Sequence, residues 1–258
     1  MKKIFVTMSA MLMLAFAADA QILKNNFMSY TEIGQPIEKK DYVTKEDKPL
    51  KDVWCGALDS KKAEGSVSPV AGEPLIWEGY NEGGNSICIS SSFPEGVSGS
   101  RYTTYSFGQK YQDGVYYLSF VADFKAVRAG GSGMNVGFAR NVLGNGMTSG
   151  VRFYRDEENK GVYHVAVVMD KTVTEVPVAY NLNEPHLFVL KLDTAAKSAS
   201  LYVDPTLKKE PKKALAVAVS DIADRTPRIT GVSVRDHSKV KGNIGSFRVT
   251  QSWKSISE

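Results

Sequence analysis

The run VYYLSFVADF at residues 115–124 decides how the rest of the chain is read. It is rich in aromatic and branched side chains and holds neither Pro nor Gly. Read with the period of a strand, Tyr116, Leu118, Phe120, Ala122 and Phe124 share one face. Val115, Tyr117, Ser119, Val121 and Asp123 share the other. Both faces are mostly apolar. A strand apolar on both sides is covered on both sides, so this one is expected in the middle of a sheet.

Working outward, the pattern of short β-rich runs separated by turn residues repeats. Residues 74–80 (PLIWEGY), 86–90 (SICIS), 101–107 (RYTTYSF) and 134–139 (MNVGFA) read as strands. Residues 141–150, rich in Gly and Asn, read as a long loop. Residues 151–155 and 162–169 read as a hairpin across the charged, Gly-ended turn DEENKG. HLFVLKLD (186–193) and SASLYVD (198–204) form a second hairpin across TAAK, and Pro205 ends it because proline has no N–H for a ladder. Residues 214–223 alternate Ala, Val and Leu and fit a strand or a short helical turn. Runs at 228–235 and 244–251 close the set, and Trp253 and Ile256 are placed to seal one end of the core. Roughly ten or eleven strands and no long helix make an all-β chain, an antiparallel β-sandwich or barrel rather than βαβ units. No fixed-period repeat is present.

The first twenty residues are set apart as a signal peptide. Lys2 and Lys3 precede an apolar run, and Ala18-Asp19-Ala20 is a small-x-small cleavage site before Gln21. The apolar run is short for a membrane span. No later stretch is long and apolar enough to cross as a helix, so an exported protein without a transmembrane span is expected, in the periplasm, on the outer surface or secreted. Residues 21–52 lack any sustained period and read as an irregular leader, leaving 53–258 as the sandwich domain. In an oxidising compartment Cys55 and Cys88, the only two cysteines, either bridge or leave Cys88 as a small buried residue. The formal charge of +4 is mild and scattered. The cluster Lys208, Lys209, Lys212 and Lys213, broken by Glu210 and Pro211, reads as a solvated loop. Nucleic acid is therefore not an expected partner.

The order of the pieces carries a resemblance. A YYLSF strand, a glycine-rich run into NVGFAR, a hairpin, then HLFVLKLD followed by SLYVDP and a closing GSFRVTQSW, resembles concanavalin A-like lectin/glucanase jelly rolls. The likeness is to the laminin G-like domains of secreted bacterial proteins in particular. It spans residues 75–253, and its most specific part is the HLFVLKLD/SLYVDP hairpin. The resemblance implies two curved antiparallel sheets, carbohydrate held on a concave face or an edge loop, and calcium as a candidate cofactor in an edge loop. Some relatives are glycosidases or lyases, and many are non-catalytic modules.

Catalytic signatures are weak. The E-x-D-x-x-E strand of jelly-roll glucanases, which puts an acid and a nucleophile about 5 Å apart on one face, does not occur. Asp156, Glu157 and Glu158 are consecutive in a turn. Neither His164 nor His186 follows the Gln-x-His pattern of jelly-roll lyases. The best acid–base set is Arg152, Tyr154 and His164, neighbours across the first hairpin. No G-x-S-x-G elbow is present, and GSGMNVG lacks the Lys-Ser/Thr of a phosphate loop. Sugar recognition uses flat aromatics with polar partners, and Trp77, Tyr80, Tyr102, Tyr105, Tyr154 and Trp253 are the candidates. Tyr117 joins Arg152, Tyr154 and His164 as a ligand-binding candidate if the second face of the 115–124 strand is open. Asn141, Asn145 and Asp156, or Asp193 and Asp204, are oxygen donors for calcium. The expected function is an exported, non-catalytic module that binds a glycan or another cell-surface ligand. A glycan-active enzyme and a structural or assembly protein are the alternatives.

Overall fold

The computed structural model describes residues 21–27, 30–37, 51–55, 68–80, 84–130, 133–141, 146–155, 158–222 and 225–258. Its strands are β1 (Leu23–Asn25), β2 (Lys51–Cys55), β3 (Ala71–Gly72), β4 (Ser86–Ile89), β5 (Ser100–Tyr111), β6 (Val115–Ala126), β7 (Met134–Asn141) and β8 (Gly146–Tyr154). They continue with β9 (Val162–Met169), β10 (Thr172–Asn181), β11 (Pro185–Asp193), β12 (Ser198–Val203), β13 (Ala216–Val219), β14 (Ile229–His237) and β15 (Lys241–Thr250). A 3-10 turn, Lys254–Ile256, follows. No described helix is long and apolar enough to cross a membrane.

The strands build two antiparallel sheets. The first is ordered β13-β12-β11-β6-β15-β4-β3, with β1 also pairing β15; the second is ordered β10-β9-β8-β7-β14-β5-β2. The expected antiparallel sandwich is what forms, and β6 lies inside the first sheet between β11 and β15. Tyr116, Leu118, Phe120, Ala122 and Phe124 enter the core between the sheets. There Phe120 stacks on Phe188 at 5.4 Å and meets Phe153 edge-on at 6.3 Å. Burying each of these large apolar side chains stabilises the fold by about 1.5–3 kcal/mol.

The other face of β6 is closed by the chain itself. Tyr117 and Val121 pack with Leu75, Tyr80, Leu187, Val189, Tyr202, Trp253 and Ile256 in a second cluster outside the first sheet. Three segments supply the cover: residues 75–80, the 204–214 connection and the C-terminal turn. The run 74–80 is therefore not a strand. It has no ladder partner and lies across the sheet instead. The Tyr80 hydroxyl donates to the Ser246 carbonyl and lies 3.0 Å from Ser119 Oγ, while Arg248 donates to the Tyr80 carbonyl at 2.7 Å. Trp253 and Ile256 cap this outer cluster rather than one end of the main core.

Other departures have local causes. Residues 146–150, read as loop, are the start of β8. β10 has no counterpart in the sequence reading; it is an edge strand whose Pro177 falls at a register shift between Glu175 and Ala179, where the missing N–H does not break a ladder. Within the leader, Leu23, Phe27 and Ile37 are buried in the main core, and Phe27 stacks on Trp54 at 5.5 Å. Residues 1–20, read as a signal peptide, lie outside the described residues, as do positions 38–50. Cys88 is a free thiol, so the bridge with Cys55 is not made. The reason is strand alternation: Ile87 and Ile89 enter the core, which turns Cys88 outward, away from the second sheet that carries Cys55 on β2.

Candidate functional site

The outer face of the second sheet is different in kind. Strand register sets its side chains in lateral rows. One row runs Tyr102 (β5), Arg235 (β14), Asn135 (β7), Arg152 (β8), Ala166 (β9) and Glu175 (β10). The next runs Thr104, Ser233, Gly137 and Gly150, with Val168 beyond. Rows two residues apart along a strand are about 7 Å apart. A line of small side chains thus forms a trough beside a line of long polar and aromatic ones.

The trough depends on glycine at its centre. A Cβ on Gly137 would sit 2.1 Å from the Ser149 carbonyl oxygen and 2.5 Å from the Gly150 Cα. β7 and β8 approach each other too closely there for any side chain. Thr104 and Ser233, 3.1 Å apart through their hydroxyls, continue the floor.

The bordering row is held in place by its own contacts. Arg235 lies over the Tyr102 ring with its guanidinium carbon 5.7 Å from the centroid. The Arg235 Nε is buried without a hydrogen-bond partner. Arg152 donates from Nε to Asn135 Oδ1 at 3.4 Å. Burial, and then the nearby Arg235, lower the Arg152 pKa. Among the described residues neither arginine is ion-paired, so the row carries net positive charge. Tyr154 and His164 stand opposite each other in the β8–β9 register, with stacked rings 5.6 Å apart. At the far end of the strands a cavity of about 400 Å³ continues the face, lined by Gln109, Lys110, Arg140, Asn141, Arg228 and Thr230 among others.

Three of the four ligand-binding candidates are therefore brought to one face: Arg152, Tyr154 and His164. Tyr117 is not with them. It lies on the first sheet, 5 % exposed, and donates its hydroxyl to Glu210 Oε2 at 2.9 Å. Of the aromatic candidates, Tyr80, Tyr105 and Trp253 are buried packing residues, Tyr102 and Tyr154 belong to the face, and Trp77 borders a separate cavity of about 600 Å³ beside Leu207. Arg235 and Asn135 were missed in sequence, because only cross-strand register places them beside Arg152 and Tyr102.

The chain is similar in structure to the globular domain of T. cruzi calreticulin, at 9% identity over 92% of this chain and 91% of that one, with a TM-score of 0.52. The fold is the concanavalin A-like jelly roll. Lectin II from Ulex europaeus aligns at 11% identity over 78% of this chain and 99% of that one, TM-score 0.41. Peanut lectin aligns at 13% identity over 78% and 97%, TM-score 0.44. No family profile and no curated protein matches the sequence.

The described residues of this jelly roll do not fit a calcium ion. Asp193 Oδ1 accepts the Ala196 N–H at 2.9 Å. Asp204 accepts the Leu187 N–H through one oxygen and contacts the His186 ring through the other. Both carboxylates hold turns, and no group of three acidic, His or Cys side chains converges among the described residues. Asn145 and Asp156 lie outside those residues.

Proposed function

We propose that this protein is an exported, non-catalytic carbohydrate-binding module whose ligand lies along the outer trough of the second sheet. The observation that carries the reading is the pairing of the Gly137–Gly150 floor with the Tyr102, Arg235, Asn135 and Arg152 row. A sugar ring presents a C–H face that stacks on an aromatic ring and hydroxyls that need donors and acceptors. Tyr102 and the Tyr154–His164 pair supply flat surfaces. Arg152, Arg235 and Asn135 supply polar groups already oriented by neighbours, which lowers the ordering cost of binding. The first sheet offers nothing comparable, because its outer face is occupied by the chain's own segments.

The test is a glycan-array screen followed by titration calorimetry on the purified protein. Tyr102→Ala and Arg152→Ala are each expected to weaken the best glycan by about tenfold, on the order of 1.4 kcal/mol, with melting temperature unchanged. Absence of any glycan ligand, or binding as tight as wild type in both variants, defeats the reading.

The same face supports a second reading, as a glycan lyase. Tyr154, His164 and Arg152 together place a phenol, an imidazole and a charge-neutralising guanidinium side by side. Incubation with uronate polysaccharides, followed by ultraviolet absorbance for unsaturated products, decides it. Binding without product leaves the module non-catalytic.

A further inference from the structure

Where strand ends of the two sheets meet lies a cavity of about 550 Å³. Its lining holds Lys125, Arg128, Arg155, Lys160 and Lys239 around a small apolar base of Val127 and Leu182. Four separate parts of the chain deliver these cations: the end of β6 and the residues after it, the end of β8, the β8–β9 turn and the β14–β15 turn. Arg128 and Arg155 are half-buried at the base, and the three lysines are exposed at the rim. The base is rigidly built. The Arg155 N–H donates to the Arg128 carbonyl at 3.1 Å and Arg155 Nε donates to the Val127 carbonyl at 2.9 Å.

Among the described residues, little negative charge answers Lys125, Arg128, Lys160 and Lys239. Lys125 meets Asp123 Oδ2 at 3.1 Å. Arg128, Lys160 and Lys239 make no ion pair among the described residues. The Asp236 carboxylate is turned away and buried, held by the Ser90 N–H, the Ser92 hydroxyl and the His237 N–H. Arg128 Nη1 lies instead 3.0 Å from His237 Nε2. Burial, and then Arg128, Arg235 and Lys239, bring the His237 pKa down to about 4. The ring is neutral near pH 7.

We infer that this cavity is an anion subsite that takes a sulfate or carboxylate group of an acidic glycan. The glycan part rests on the binding function proposed above; the anion part rests on the cavity alone. Half-buried guanidinium groups bind oxyanions through directed N–H donors, and the rim lysines add attraction without fixed geometry.

The experiment measures binding of dextran sulfate, oligogalacturonate and neutral dextran at about 150 mM salt, where long-range attraction is already screened. Inorganic sulfate serves as competitor. Lys160→Gln/Lys239→Gln removes two exposed charges without disturbing packing, and Arg128→Gln tests the base. The expected result is that at least one acidic polymer binds about tenfold or more tightly than neutral dextran. The double variant then loses most of that preference, and inorganic sulfate competes with wild type only. Sulfate-only or carboxylate-only binding identifies which group the cavity takes. No preference for acidic over neutral polymer, or a preference untouched in both variants, overturns the inference. Failure of the trough reading looks different: inorganic sulfate and polymer charge still register at the cavity, while Tyr102→Ala has no effect. Conversely, neutral glycan binding that is lost in Tyr102→Ala and kept in the double variant sustains the trough whatever the cavity does.

Discussion

Glu210 shows how a residue's role is set by what folds around it. In sequence it interrupts a run of lysines and reads as one more solvated charge. In the structure its carboxylate accepts the hydroxyls of Tyr117 and Tyr202, each at 2.9 Å, and the Lys191 ammonium at 2.8 Å. It pins the loop after β12 onto the outer face of β6. Burial alone would raise its pKa, but the Lys191, Tyr117 and Tyr202 donors outweigh burial and hold it below the ordinary value. The folded pKa is depressed, so the stabilisation is complete above the ordinary carboxylate pKa of about 4.3 and is lost as pH falls through the folded value. Glu210→Gln is expected to cost about 1–2 kcal/mol at pH 7. Urea unfolding of both proteins from pH 7 to pH 3 checks it, with the two curves converging at the acid end. A constant gap across that range sinks the assignment. The same contact explains why Tyr117, a ligand-binding candidate on a two-sided apolar strand, is covered by the chain's own loop.

At the scale of elements, β7 and β8 are the instructive pair. Residues 141–150 look like loop because Gly and Asn are weak strand formers, yet Gly146–Tyr154 is a strand between β7 and β9. Close backbone approach outweighs propensity here. Gly137 and Gly150 face each other, and any Cβ at Gly137 meets the backbone of β8. Gly137→Ala is expected to part these strands locally, costing more than about 2 kcal/mol and abolishing glycan binding. Thermal melting and calorimetry read the two effects, and wild-type behaviour in both disproves the close contact. The opposite error occurs at residues 74–80, where a β-rich composition serves as a cover with no ladder. Composition reports that the segment is buried against a sheet, and only the available hydrogen-bond partners decide whether it joins one.

For the whole molecule, the question is what holds two large sheets together. The main core runs continuously from Leu23 and Phe27 of the leader to Phe247 and Val249 of β15, and a second cluster closes the first sheet from outside. With Cys88 free, this burial suffices without a staple. Reductant is therefore expected to leave the melting temperature within about 1 °C. Loss of a native disulfide typically costs 2–5 kcal/mol, which for a domain this size moves the midpoint by several degrees. A shift of that size in a calorimetric scan refutes the free-thiol arrangement.

The strands themselves were legible. The pattern of apolar residues along a strand is a local property, so the buried β6, the β8–β9 hairpin and the β11–β12 hairpin follow from their own sequences, and with them the all-β sandwich. Arg152, Tyr154 and His164 were also legible as neighbours, because a hairpin joins residues close in sequence. Their partners were not. Tyr102, Asn135 and Arg235 reach the same row through pairings between strands far apart in the chain. The cover over Tyr117 is assembled from segments on either side of β6, more than a hundred residues of chain apart. Which sheet face stays polar and which is packed shut depends on where these distant segments land, and that is decided only when the two sheets close.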